Sequence, residues 1–297
     1  MKAYYKTIGL EVLCGLFGKS RQAFYDRSRR EQRQMFEQAI VVDLVKEQRQ
    51  IGCRIGGKKL YLMLSPALRG HGLKIGRDRF LDVLRDNSLL VQPRRNRAKT
   101  TNSRHRFRKY KNTAKDVTVQ KAEQLWVSDI TYIRVGAGFC YLMLLTDAYS
   151  RKVVGYNFSP TLAASFCVKA LQQALNNRVC PQRKLMHHSE RGIQYCSTEY
   201  TNLLIYKGIK ISMTENGDPL ENALAERMNG IFKDNFDLAR NFDNFDQAWK
   251  VIQLAVNYYN NEVPHSSCDM LTPCQAHFKQ GKLKKHWSKK SFGHSNT

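Results

Sequence analysis

Residues 125–159 read LWVSDITYIRVGAGFCYLMLLTDAYSRKVVGYNFS, and this stretch decides the fold class. It holds three runs rich in β-branched and aromatic residues. The turn GAG separates the first two, and a second short turn precedes the third. Runs of this composition between turn residues predict three antiparallel strands in a meander.

Downstream of residue 159 the pattern alternates between helix and strand. Apolar residues at helical spacing predict helices in TLAASFCVKALQQAL and STEYTNLLIYKG, and short apolar runs predict strands in KLMHHS and IKISMT. A last helix is predicted to begin at Pro219, with Asp218 as its N-cap. Three antiparallel strands followed by alternating helices and strands predict a mixed α/β domain, in the order of a ribonuclease H-like core.

The charge is distributed unevenly along the 297 residues. The net charge is +24, and residues 1–120 hold 28 Lys and Arg against 10 Asp and Glu, whereas residues 121–281 hold 16 against 15. A basic first part and a basic tail predict a polyanionic partner. The alternative is a basic protein whose charge serves only solubility.

Composition also bears on the environment of the chain. The longest apolar run, FCYLMLL, is far too short to span a membrane, so no membrane partner is expected. Glu11 interrupts the apolar N-terminal stretch, which argues against a signal peptide. The eight cysteines are irregularly spaced with no CxxC, so we expect reduced thiols and a cytoplasmic location.

The part of the chain before the strands is predicted to be all-α and to bind DNA. Residues 1–36 form a basic helical segment, and residues 37–93 form three short helices typical of a helix-turn-helix domain, with Arg77 and Arg79 facing a DNA groove. An ordinary helical bundle with surface arginines is the alternative.

Residues 94–120 are predicted to be a basic linker. Its first 18 residues carry nine Lys and Arg and no acid, a composition that cannot form a core but can follow phosphates. A merely solvated linker is the alternative. The residues expected to contact DNA here are Arg94, Arg95, Arg97, Lys99, Arg104, Arg106 and Arg108.

Three acids have similar local settings in the predicted α/β domain. Asp129 lies in the first strand, Glu190 follows the strand KLMHHS, and Glu226 lies in the last helix on the same face as Asn222. Converging carboxylates with open positions suit Mg²⁺ or Mn²⁺, and two such ions about 4 Å apart are used in phosphodiester chemistry. The 35 residues between Glu190 and Glu226 prove little alone, because 25 acids produce such pairs by chance.

The motifs WVSDITYI, TDAYSRKVVGY, HHSERGIQY, ISMTENGDPLENALAERMNGIFK and VNYYNNEVPHSSCDMLTP occur in this order. Together they resemble the second reading-frame product of two-frame bacterial insertion sequences, a family of DDE transposases with a retroviral-integrase-type core. The resemblance covers nearly the whole chain from about residue 40.

The resemblance implies metal-dependent cleavage and strand transfer of double-stranded DNA at terminal inverted repeats. It places the catalytic, metal-holding acids at Asp129, Glu190 and Glu226 with two Mg²⁺ or Mn²⁺ ions, and Asn222 beside them. It also implies a catalytic core at residues 121–280, a basic tail at 281–297, a homo-oligomer on DNA, and association with the bacterial nucleoid when bound.

Two positions depart from the family pattern. The family usually has Asp where this chain has Glu190, and commonly Arg where it has Val263. The extra methylene moves the carboxylate by roughly 1.5 Å, and a misplacement of about 1 Å can cost on the order of 10²-fold in rate. One rival hypothesis is therefore an inactive transposase that only binds DNA. A second is a ribonuclease H-type nuclease acting on RNA–DNA hybrids.

Two further features have competing interpretations. His265, Cys268, Cys274 and His277 have a spacing that resembles a zinc site, although the inner gap is short for one and the stretch is also a metal-free family motif. Asp147, at the end of the second strand, is interpreted as a residue that organises the following turn.

Overall fold

A computed structural model describes residues 9–92, 108–215 and 219–286, apart from the side chains of residues 219 and 220. The chain divides into two compact units. The first comprises residues 1–48 and 56–90, and the second comprises residues 49–55 and 91–297.

The first unit is helical, as predicted. Its helices are α1 (Leu10–Leu16), α2 (Arg21–Gln48), α3 (Gly57–Gly70) and α4 (Arg77–Asp86). The second half of α2 packs with α3 and α4 around a small apolar core. That core includes Val41, Val45, Leu60, Leu64, Phe80 and Leu84.

The structure differs from the predicted boundary between residues 36 and 37, which falls inside α2. Residues 21–48 contain neither glycine nor proline, so no residue in this stretch ends the helix. The break between helices lies earlier, between α1 and α2, where Gly18 has φ +63°. Only glycine adopts this left-handed conformation without a steric penalty.

The second unit is built on one mixed sheet. Its strands are β1 (Leu125–Val135), β2 (Gly138–Asp147), β3 (Val153–Ser159), β4 (Met186–Ser189), β5 (Lys210–Met213) and β6 (Asn241–Phe242). The first three pair antiparallel as the predicted meander, and β4 and β5 continue the sheet in parallel beyond β1. The strand order is β3-β2-β1-β4-β5, and β6 pairs with the far end of β1. This is the predicted ribonuclease H-like order.

Helices cover the sheet. They are α5 (Ala164–Asn176), α6 (Ile193–Cys196), α7 (Thr198–Tyr206), α8 (Ala223–Asn235), α9 (Phe245–Asn261) and α10 (Pro273–His277). The predicted helix STEYTNLLIYKG is α7, which begins after Ser197, whose hydroxyl accepts a hydrogen bond from the Tyr200 amide. The short helix α6 before it was not predicted. The last predicted helix starts with a 3₁₀ turn over Pro219–Asn222, and α8 follows it. Its predicted N-cap, Asp218, lies outside the described residues.

Alternate residues of β1 face two different cores. Trp126 is fully buried in a large apolar cluster formed with α5 and α7, together with Met143 and Leu145 of β2. Its neighbour Val127 belongs to a smaller cluster that includes Ala225 of α8. Because side chains alternate along a strand, Ser128 points to the α5–α7 side and Asp129 to the α8 side.

Two predictions made from composition can be compared with the structure. Within the described residues, no helix is both long enough and apolar enough to cross a membrane. All eight cysteines are free thiols, as expected.

Candidate active site

The pairing of β1 with β4 brings two of the three predicted acids to the same place. In this parallel pair Val127 lies beside His188. Asp129 follows two residues later in β1, and Glu190 follows His188 by two residues, just past the end of β4. The Glu190 carboxylate lies close enough to Asp129 to affect its pKa. Glu226 is in the first turn of α8, which packs against β1.

Electrostatics shows that the three carboxylates interact. Burial raises the pKa of Asp129, the Glu190 carboxylate raises it further, and Glu226 adds a smaller effect in the same direction. Hydrogen bonds from the Ile130 amide and Asn229 act in the opposite direction, and the pKa is about 7. Both hydrogen-bond donors are neutral, so they do not balance the negative charge of the three carboxylates.

Asn222 anchors α8 to β1 beside the acids. It is 3% exposed, and its Nδ2 donates to the carbonyl of Ser128 at 3.1 Å. The neighbouring residue in β1 is Asp129. Asn222 therefore contacts the backbone of the residue before Asp129, and its role beside the acids stays a prediction.

Asn229 is a member of this cluster that the sequence interpretation missed. It is 6% exposed, and its Nδ2 donates to Asp129 Oδ2 at 2.8 Å. Residues 222, 226 and 229 share one helix face, because they are spaced by four and three. That spacing is the one signal in the sequence that points to Asn229.

The two histidines before Glu190 face opposite sides of the sheet. On the α5–α7 side, His187 Nε2 contacts the hydroxyls of Ser128 at 3.1 Å and Tyr200 at 3.0 Å. Burial is the main cause that lowers the pKa of His187 to about 3, and the neighbouring His188 adds a smaller effect in the same direction. His188 faces α8 and contacts Ser212 and the Glu221 carbonyl. His187 is thus a neutral core residue on the side away from the acids.

The donor set fits a hard divalent cation chemically. Carboxylate oxygens are the ligands that Mg²⁺ and Mn²⁺ prefer, and the unbalanced negative charge at Asp129 is a charge that such a cation would neutralise. The side chains have nevertheless not closed into a coordination sphere. In the described ranges, no group of three or more His, Cys, Asp or Glu residues is arranged to hold a metal ion.

All four residues of the C-terminal motif with zinc-like spacing lie in the described ranges, and two of them bond to the turn after β2. The Cys268 thiol points to the backbone carbonyls of Tyr149 and Ser150. His277 Nδ1 lies 2.9 Å from the hydroxyl of Ser150. Cys268 and His277 hold the segment around α10 against the turn after β2.

That turn is organised by Asp147, as predicted. The Asp147 carboxylate is fully buried and accepts hydrogen bonds from the Tyr149 and Ser150 amides and from the Ser150 hydroxyl. Its other oxygen accepts from the amide of Glu123. His277 of α10 lies 3.9 Å from the same carboxylate. These partners belong to the turn, to the segment before β1 and to α10, and Asp147 is therefore a structural acid.

Glu123 is a second buried acid near β1, and its partners differ from those of Asp129. The Glu123 carboxylate contacts Arg178 at 3.1 Å and His277 at 3.7 Å, and it accepts from the Val179 and Cys180 amides. Burial by itself raises the pKa of Glu123. The hydrogen bonds from His277, the two amides and Arg178 outweigh that effect and lower the pKa to about 2.

The predicted DNA-contacting residues lie away from this cluster in sequence. Arg77 and Arg79 are exposed at the start of α4, and Arg77 pairs with the neighbouring Asp78 at 2.8 Å. Arg108 is exposed and lies over the ring of Tyr110. Six others lie outside the described residues: Arg94, Arg95, Arg97, Lys99, Arg104 and Arg106.

Val263, the second departure from the family pattern, is fully buried. An apolar side chain suits such a position, whereas an arginine there would need a partner for its charge. The valine is therefore a core residue of the second unit.

Comparisons with known proteins support the interpretation of this unit. The integrase core domain family matches residues 119–219, and a second integrase core domain family matches residues 207–273. An insertion element IS600 protein of 31 kDa from Shigella sonnei is 30% identical over 271 residues, which cover 88% of this chain and 96% of that protein. The transposase InsF for insertion sequence IS3A from Escherichia coli K12 is 40% identical over 103 residues, 35% of each chain.

Among solved structures, the chain is similar to the HTLV-2 integrase catalytic core domain in complex with magnesium. The identity is 20%, the TM-score is 0.43, and the similarity covers 53% of this chain and 97% of the other. The matched families, the insertion-element relatives and the strand order of the core together establish the family. The chain belongs to the DDE transposases of two-reading-frame bacterial insertion sequences, which have an integrase-type core.

Proposed function

We propose that this transposase binds the ends of its insertion sequence and catalyses metal-dependent cleavage and strand transfer of DNA. One observation carries the proposal. Asp129 of β1, Glu190 after β4 and Glu226 of α8 lie close enough to interact, because burial first and then the charges of Glu190 and Glu226 raise the pKa of Asp129. A protein gains nothing in stability from such repulsion, so the arrangement favours a cationic ligand.

Asp129, Glu190 and Glu226 would hold Mg²⁺ or Mn²⁺. When bound, two such ions would activate the attacking oxygen and stabilise the leaving one. The chain's own amides orient the acids. Asn229 fixes Oδ2 of Asp129, and Asn222 ties the start of α8 to the carbonyl of the residue before Asp129.

The substrate follows from charge and family. The excess of Lys and Arg in residues 1–120 suits the phosphates of double-stranded DNA at terminal inverted repeats and target sites. Joining ends requires that two of them be held together, so we expect a homo-oligomer on DNA. A protein with this substrate would act at the bacterial nucleoid.

The test is cleavage and strand transfer on the element's own ends, in Mg²⁺ and in Mn²⁺. We expect wild type to cut and Glu226→Gln to lose at least about 100-fold in rate, because a neutral amide is a poor ligand for a hard cation. The matched control is Glu199→Gln, which removes the same charge from an exposed position on α7. Equal activity of Glu226→Gln and wild type would overturn the proposal.

A second candidate is a transposase that binds DNA but no longer cuts it. Two observations favour it: Glu replaces the usual Asp at position 190, and the acids do not form a closed ligand set. Glu190→Asp decides between the candidates. If only this variant cuts, the natural chain is disabled by one methylene. If neither cuts while both bind DNA in a salt-sensitive way, the binding-only function is correct.

A nuclease acting on RNA–DNA hybrids would be identified in the same assay by competition. Excess hybrid would then inhibit cleavage more strongly than excess duplex DNA. We expect the opposite order.

A further inference from the structure

The segment 111–114, where the basic block ends, is hydrogen-bonded to the edge of the catalytic sheet. The amides of Thr113 and Ala114 both donate to the Ser212 hydroxyl of β5, each at 3.0 Å. The Asn112 amide donates to the Glu215 carboxylate at 2.9 Å. Ser212 is fully buried, so these bonds are shielded from water.

The bonding of Ser212 determines the tautomer of His188. Ser212 Oγ lies 3.0 Å from His188 Nδ1, and a hydroxyl has one proton to donate and two lone pairs. The two backbone amides occupy both lone pairs, so the hydroxyl donates its proton to Nδ1. The proton of the neutral ring is then on Nε2.

His188 Nε2 in turn lies 2.9 Å from the carbonyl of Glu221 and donates to it. Glu221 belongs to the 3₁₀ turn that leads into α8, and Glu226 is in the first turn of that helix. One series of hydrogen bonds thus runs from the Thr113 and Ala114 amides through Ser212 and His188 to the base of α8. A second, more exposed route runs from the Asn112 amide to the Glu215 carboxylate, and the Glu215 amide donates to the Glu221 carboxylate.

We propose that His188 is a positioning residue that couples the end of the basic linker to the helix carrying Glu226. When the linker binds DNA, a shift of segment 111–114 would alter the hydrogen bonds of Ser212 and His188. Through these bonds it would change the position of the start of α8. The coupling itself is a property of the folded chain, and its catalytic consequence rests on the proposed function.

The neighbouring His187 provides a matched control. It is the same residue type in the same strand and equally buried, but it contacts Ser128 and Tyr200 on the opposite face. Any general damage to β4 would affect variants of both histidines. A loss of coupling would affect only those of His188.

The coupling is tested by amide hydrogen exchange of the full chain without DNA or divalent metal. The variants are His188→Leu, His188→Gln, Ser212→Ala and, as the control, His187→Gln. We expect His188→Leu to speed exchange in segments 111–114 and 219–228 by about tenfold, the effect of losing one buried hydrogen bond. Ser212→Ala should also speed exchange in both segments, and it changes the side-chain volume less than His188→Leu does.

His188→Gln should restore much of the protection in 219–228, because its amide N–H replaces the donor at Nε2. His187→Gln should leave both segments within about twofold of wild type. The proposal is overturned if His188→Leu and Ser212→Ala leave either segment unchanged, or if His187→Gln disturbs both segments equally.

Strand transfer gives an independent readout. We expect His188→Leu to lower kcat while KM for the DNA ends stays near that of wild type, and His188→Gln to recover part of kcat. If wild type shows no strand transfer, the proposed function fails, but the exchange experiment still decides the coupling. If the exchange results are as expected and kcat is unchanged, the catalytic role of His188 is refuted.

Discussion

Glu123 and Asp129 lie only six residues apart around the start of β1, yet their surroundings are opposite. Glu123 has Arg178, His277 and two backbone amides around its carboxylate, and its pKa falls to about 2. Asp129 has two neutral donors and two other carboxylates, and its pKa rises to about 7. The first acid is held as an anion by the fold. The second acid, Asp129, has hydrogen-bond donors that carry no positive charge.

The difference separates an acid that stabilises the fold from acids that we propose serve the reaction. A buried acid with a cation and several donors contributes to folding, and its removal leaves the other charge unpaired. A cluster of mutually repelling acids costs stability until a cation arrives. Sites of this second kind are common where function requires strongly shifted pKa values.

The largest effect we predict is on the structural acid. Glu123→Gln should destabilise the second unit by about 3–5 kcal/mol, because Arg178 is left buried without its counter-charge. Urea unfolding followed by circular dichroism would measure this as a lower midpoint. Glu199→Gln, on the exposed side of α7, should stay within about 0.5 kcal/mol of wild type. A Glu123 variant as stable as this control would remove the distinction between the two acids.

A smaller effect on the stability of the folded protein is predicted when Mn²⁺ is added, because we propose that it binds at Asp129. Mn²⁺ at about 100 times its dissociation constant should stabilise the folded protein by about 2.7 kcal/mol at pH 7.5, since the unfolded chain lacks the assembled site. Thermal unfolding with and without Mn²⁺ measures the shift. Asp129→Asn should abolish it, whereas Glu123→Gln should keep it on a lower baseline. The same shift in Asp129→Asn would show that the metal binds elsewhere.

Local sequence signals predicted the fold of the second unit well. The meander of β1, β2 and β3 follows from strand composition between turns, and the structure confirms it. The boundary at residues 36 and 37 was placed by a change in composition, but helix length depends on helix-breaking residues, and none occurs within α2. The 3₁₀ turn before α8 was likewise not predicted, because it depends on how the chain leaves β5.

The contacts of the site were harder to predict than its members. Asp129, Glu190 and Glu226 were chosen from strand and helix positions and from family motifs, and their catalytic roles remain predictions. Asn229 was missed because its partner is 100 residues away in sequence. The partners of Glu123 are also distant, at Arg178 and His277. Contacts of this range are set by packing, which no local pattern encodes.

The last effect we predict is a pH dependence with two limbs, one for each acid. Glu123 has a folded pKa of about 2 against an ordinary value of 4.5, so its contribution is present above pH 4.5 and is lost as the pH falls through about 2. Asp129 has a folded pKa of about 7 against 3.8, so its contribution is present below pH 3.8 and is lost as the pH rises through about 7. The metal-free wild type should therefore lose stability at both ends of this range.

Thermal unfolding in a chelator between pH 2 and pH 8 measures both limbs. Asp129→Asn carries no charge at this position, so its stability should match that of wild type near pH 4 and exceed it near pH 8. The acid limb of this variant should remain, because Glu123 is unchanged. If Asp129→Asn and wild type have parallel curves across the neutral range, the carboxylates do not repel one another in the folded protein. Asp129 would then need no cation to balance repulsion between carboxylates. The proposed difference between Asp129 and Glu123 would be wrong.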